Sequence, residues 1–61
     1  MKTPHQKARS QKIIESAARA FAKKGFHGTS IDDIVAEAGI SVSSLYRYFR
    51  GKNELYRAVV D

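Results

Sequence analysis

Between Ala38 and Ser41 the chain holds two residues, Gly39 and Ile40. The apolar positions before this gap, Ile31, Ile34, Val35 and Ala38, fall at i, i+3, i+4 and i+7, which is one face of a helix. After the gap, Ser41 is a side-chain acceptor of the kind that starts a helix. Two helices joined by so short a glycine turn cross steeply, which is the helix-turn-helix arrangement.

The flanking punctuation agrees. The spacing predicts a first helix over about 6–24, with Ile14, Ala17, Ala18 and Phe21 on its apolar face and Ile13 and Ala20 widening the stripe. Lys23 and Lys24 suit the negative end of the dipole, and Gly25 suits a left-handed stop with Phe21 and Phe26 in contact across it. Thr3 and Pro4 allow a cap and first helical residue, but residues 1–8 are expected to be a flexible basic arm. A second helix spans about 30–38, with Ser30 as its N-cap and Asp32 and Asp33 in its first turn. The third covers about 41–48 and the fourth about 52–61, with Leu55 and Val59 on one face. The expected fold class is all-α: a three-helix, homeodomain-like helix-turn-helix bundle over 9–61 (motif about 30–49) plus the start of a fourth helix.

The charge distribution adds a partner. The net charge is +5. Residues 1–12 carry Lys2, Lys7, Arg9 and Lys12 without an acid. The middle carries Arg19, Lys23 and Lys24 against Glu15, Asp32, Asp33 and Glu37, and the end carries Arg47, Arg50, Lys52 and Arg57 against Glu54 and Asp61. Two basic ends around a near-neutral middle suit a polyanion touched at two places. On a helical wheel Val42, Leu45, Tyr46 and Phe49 share the apolar arc of the third helix, while Ser43, Ser44, Arg47 and Tyr48 face outward. That outer face carries hydrogen-bonding groups and no acid, as contact with phosphates and base edges requires. The plain alternative is a solvated face with one exposed tyrosine. Lys52 stands in the first turn of the fourth helix, where its charge opposes the dipole, and a phosphate there would reverse that penalty. Thr29 and Ser30 offer hydroxyls and amides to a second phosphate, against the reading of Ser30 as a simple cap.

Other functions find less support. There is no cysteine, and His5 and His27 are the two histidines. No cluster has metal-ligand spacing and no glycine loop cradles a nucleotide, so neither catalysis nor a cofactor is expected. No apolar run approaches the roughly 20 residues that span a membrane, and a cytoplasmic location is expected. A basic amphipathic module for a membrane surface or partner helix is a rival reading. The two glycine stops argue against it, and cooperative unfolding without lipid would separate the two. A helix-turn-helix module of another regulator family is a second rival.

Gly25-Phe26, the run TSIDDIVAEAGIS and the run SSLYRYFRGKNEL together resemble the N-terminal DNA-binding domain of the TetR family, bacterial transcriptional repressors named for the tetracycline repressor. The likeness runs from Arg9 to Val60, and AGIS, LYRYF and Lys-x-Glu-Leu carry its specificity. It implies a phosphate contact at Ser30, base-edge and phosphate contacts at Val42, Ser43 and Ser44, backbone contacts at Tyr46 and Tyr48, and a phosphate contact at Lys52. Leu45 and Phe49 match buried positions. With Thr29 and Arg47 from the residue reading, these are the candidate DNA-binding residues. Three positions depart from the pattern: Val35 where Ala is usual, Val42 where a polar residue is common, and Gly51 where Ser or Pro is common. The resemblance further implies double-stranded operator DNA as partner and a full-length homodimer. The dimerising, effector-binding C-terminal domain is expected to lie outside this chain, leaving the fragment monomeric.

Overall fold

The structure, a computed structural model, describes the backbone of residues 4–61 and the side chains of residues 8–61. Among these residues there are four helices and no strand: α1 (Pro4–Gly28), α2 (Ile31–Ala38), α3 (Val42–Tyr46) and α4 (Lys52–Val60). The all-α helix-turn-helix expectation holds. α1 begins at Pro4, so residues 4–8 continue the helix where an arm was expected. The Thr3 cap lies outside the described residues.

Gly25 does break α1, but with a different geometry from the expected left-handed stop. Its φ of 76° favours glycine, while its ψ of 168° leaves the left-handed helical region. The rod over residues 4–24 therefore gives way to one further helical turn at 26–28. No atom stands where a Cβ would project from Gly25, so the requirement for glycine is torsional. Gly39 follows expectation, with φ 72° and ψ 34°. The amides of Gly39 and Ile40 both donate to the Val35 carbonyl, at 2.8 and 3.1 Å, which closes the end of α2.

At the other end of α2 the capping box is complete. Ser30 Oγ accepts from the Asp33 amide at 3.1 Å, and Asp33 Oδ2 accepts from the Ser30 amide at 3.0 Å. Lys24 Nζ reaches Asp33 Oδ1 at 3.0 Å. The Ser30 amide, then Lys24, then the Ser30 hydroxyl hold the Asp33 carboxyl down from 3.8 to about 2. Arg19 and Lys23 both reach Glu37, at 3.2 and 3.6 Å. All three basic residues of the middle segment are thus turned onto α2.

The core is built on α1, which packs against both α2 and α4, while α3 packs on α2. Ile13, Ala17, Ala20 and Phe21 meet Ile34, Val35, Leu45, Phe49 and Leu55. The stripe on α1 is rotated from the expected one: Ile14 and Ala18 are half-buried, and Ile13 and Ala20 are the buried pair. Ser16 is also buried, donating to the Lys12 carbonyl at 2.9 Å and accepting from Arg19. A hydroxyl bonded back to its own helix satisfies itself inside an apolar stripe. At the break in α1, the rings of Phe21 and Phe26 lie 5.7 Å apart, and Tyr56 from α4 packs edge-on against both.

Candidate nucleic-acid interface

α3 is shorter than expected. Ser41 caps it, its Oγ accepting from the Ser44 amide at 3.2 Å. After Tyr46 the backbone tightens: Arg47 donates to the Ser44 carbonyl at 3.2 Å and Tyr48 to the Leu45 carbonyl at 2.9 Å. Those bonds span three residues, so side chains three apart are eclipsed. Tyr48 consequently falls in line with Leu45, which is fully buried, and packs against the core. The wheel assumed regular helix through Tyr48, two residues past the end of α3, and set Tyr48 outward. It also set Val42 and Tyr46 inward, yet they are 37% and 50% exposed. The buried line is Leu45 and Phe49 alone, and the outward patch is Val42, Ser43, Tyr46 and Arg47, with Ser44 half-buried beside it.

The three serines at the front of α3 form one hydroxyl web. Ser41 Oγ donates to Ser44 Oγ at 2.9 Å and lies 3.2 Å from Ser43 Oγ. A hydroxyl has one proton, so with that of Ser41 directed to Ser44, Ser43 donates to Ser41. The Ser44 proton is then left to donate outward, and Ser43 is left to accept.

Two phosphate-binding expectations change. Thr29 is 2% exposed, and its hydroxyl lies 2.7 Å from the Gly25 carbonyl and 3.1 Å from that of Ala20. Its amide donates to the Phe26 carbonyl. Thr29 thus holds the break in α1 closed and presents neither hydroxyl nor amide to a ligand. Lys52 was read as a charge without a local partner. Its ammonium donates to the carbonyls of Phe26 at 2.7 Å and Thr29 at 3.0 Å, and it lies 4.3 Å from the centroid of the Phe26 ring. Its charge serves the carbonyl end of α1, where a cation is favourable. One ammonium proton remains uncommitted. Ser30 stays exposed, its oxygen engaged in the cap and its hydroxyl beside the Asp33 carboxylate.

Among the described residues the ion pairs use Arg19, Lys23 and Lys24, whereas the side chains of Arg9, Lys12, Arg47, Arg50, Lys52 and Arg57 form none, and the Arg50 amide donates to Glu54 Oε2 at 3.0 Å. Arg9 and Lys12 stand on α1, and they line a cleft with Ser44 and Tyr48. Their i, i+3 spacing beside Ile13 was the signal that could have placed them there. No cluster of metal-ligating side chains occurs among the described residues, and no helix among them is long and apolar enough to cross a membrane.

A sequence model described as bacterial regulatory proteins, tetR family, matches residues 13–59, which takes in α2, the turn, α3 and nearly all of α4. The chain belongs to the TetR family. Among its TetR-type relatives, the negative regulator IcaR of the biofilm operon icaADBC in Staphylococcus epidermidis is 42% identical over 82% of this chain. The transcriptional regulator TtgR of Pseudomonas putida is 43% identical over 92% of it. A solved HlyIIR mutant protein superposes with a TM-score of 0.83 at 35% identity, over 88% of this chain. The chain spans 27%, 26% and 30% of the lengths of these three proteins. It is this family's N-terminal helix-turn-helix domain.

Proposed function

We propose that the chain binds double-stranded operator DNA as the DNA-binding domain of a transcriptional repressor, with α3 entering the major groove. The observation that carries this is the outward patch of α3, hydroxyls, a phenol and a guanidinium without an acid, beside a cleft where Arg9 and Lys12 form no ion pair among the described residues. Phosphates attract such cations, and the hydroxyls and guanidinium match the acceptors and donors of base edges.

In this reading Ser43 and Arg47 reach base edges, Val42 meets a thymine methyl, and Ser44, Tyr46 and Tyr48 hold the backbone. Ser30 meets a phosphate at the start of α2, and Lys52 donates its third ammonium proton to another. IcaR, a negative regulator, supports repression as the outcome. The full-length protein acts as a cytoplasmic homodimer, reading two half-sites about 34 Å apart. Any small-molecule effector acts through residues beyond this domain, which itself is monomeric and no enzyme.

The test is the affinity of the chain for duplex DNA across a salt series. Lys52 and the cations beside α3 neutralise at least two phosphates in this reading, so log K falls against log salt with a slope of about −2 or steeper. A flat salt dependence removes the proposal.

A further inference from the structure

A cleft of about 320 Å³ opens between the N-terminal half of α1 and α3. Its floor is apolar, with Ile13 and Ala38 at 2% and 3% exposure. Its rim carries Arg9 and Lys12 from α1, Ser44 from α3 and Tyr48 from the tight turn that follows. Arg9 and Lys12 are exposed and one helical turn apart, so they lean over the same side of the cleft. Among the described residues neither meets a carboxylate. Across from them, Tyr48 has its ring packed on the core and its hydroxyl without a hydrogen-bond partner among those residues. Ser44 accepts from Ser41, and its own hydroxyl proton meets no acceptor among the described residues. Two cations and two neutral donors thus converge on a space that accommodates a phosphate and part of its sugar, and nothing acidic lines it.

We propose that this cleft seats one phosphodiester of the same duplex whose groove α3 enters, clamped between α1 and α3. The inference rests on the DNA-binding reading and assigns two contacts, Arg9 and Lys12, that lie outside the helix-turn-helix motif. The occupant is duplex backbone because the cleft is continuous with the outward patch of α3 through Ser44. Since α1 carries the core, a phosphate held there fixes how deep and at what tilt α3 lies in the groove. The contact is sequence-independent, because a phosphate carries no base identity.

The experiment measures log K against log salt for a random-sequence duplex with the wild-type chain, the double variant Arg9→Gln/Lys12→Gln, Tyr48→Phe, and Lys23→Gln as a charge control. One seated phosphate predicts a slope shallower by about 0.9 in the double variant. Lys23→Gln retains the wild-type slope, and Tyr48→Phe binds several-fold more weakly at every salt concentration with the slope unchanged. A wild-type slope in the double variant, an equal loss of slope in Lys23→Gln, or undiminished affinity in Tyr48→Phe each overturns the cleft assignment while leaving DNA binding intact. A wild-type chain whose affinity ignores salt overturns the DNA-binding reading, and the cleft with it.

Discussion

Lys52 and Phe26 are joined twice: the ammonium donates to the Phe26 carbonyl at 2.7 Å and lies 4.3 Å from the centroid of its ring. A second bond to the Thr29 carbonyl at 3.0 Å ties the start of α4 to the break in α1. This fixes where α4 begins, and so where the turn after α3 ends. Charged hydrogen bonds contribute about 1.5–3 kcal/mol each when shielded, less where half-exposed. Lys52→Met is therefore expected to lower stability by about 1–2 kcal/mol in the absence of DNA. Urea unfolding followed by circular dichroism checks this. Unchanged stability would mean that Lys52 acts on phosphate alone.

Thr29→Val replaces the buried hydroxyl by a methyl of similar size. The one proton shared between the Gly25 and Ala20 carbonyls is lost, and the expected cost is about 1–2 kcal/mol. Thr29→Ser keeps the donor and should recover most of it. The salt slope for duplex DNA should be unchanged in both variants, measured where each is folded, because Thr29 faces inward. A shallower slope in Thr29→Val would restore it to the phosphate contacts.

Asp33 gives the fold a pH dependence of known sign. Its folded pKa lies below its ordinary value, at about 2 against 3.8, through the Ser30 amide, Lys24 and the Ser30 hydroxyl. The unfolded chain therefore binds this proton first on acidification. The stabilisation is complete above the unfolded value and disappears as pH falls from about 4 to 2. Asp33→Asn removes that dependence, so the unfolding midpoints of wild type and variant should differ at pH 6 and converge at pH 2. Parallel curves would show that the capping box does not hold the carboxylate.

Leu45 is fully buried and is the anchor of a five-residue helix. Leu45→Ala is expected to cost about 2–5 kcal/mol, which approaches the whole stability of a domain this small. Thermal unfolding should shift strongly downward or lose its cooperative transition. Val42→Ala, at an exposed position, should shift it little by comparison.

The helix boundaries marked by glycine and serine were readable in the sequence because their causes are local. Gly39 needs a left-handed backbone, and Ser30 and Ser41 cap from within three residues. What escaped were features set by non-local contacts or by departures from the regular helix. Lys52 finds its carbonyls 26 and 23 residues away, so its local setting gave a misplaced charge and no partner. Thr29 looked like a loop hydroxyl because the break at Gly25 that engulfs it is a tertiary feature. Tyr48 turned onto the core because a wheel cannot anticipate where a helix tightens, and Tyr46, at the edge of the wheel's apolar arc, lies exposed. Tyr56 joined the Phe21–Phe26 pair from α4 without a signal in its own spacing.

The central claim is that the outward face of α3 reads sequence. Its most direct test compares Arg47→Ala with wild type on two duplexes, one selected by the protein from random DNA and one unselected, at the same salt concentration. If Arg47 contacts a base edge, binding to the selected duplex weakens by about 1–3 kcal/mol while binding to the unselected one weakens much less. Equal losses on both duplexes would contradict the account, because they would make Arg47 one more phosphate contact and leave α3 without its reader.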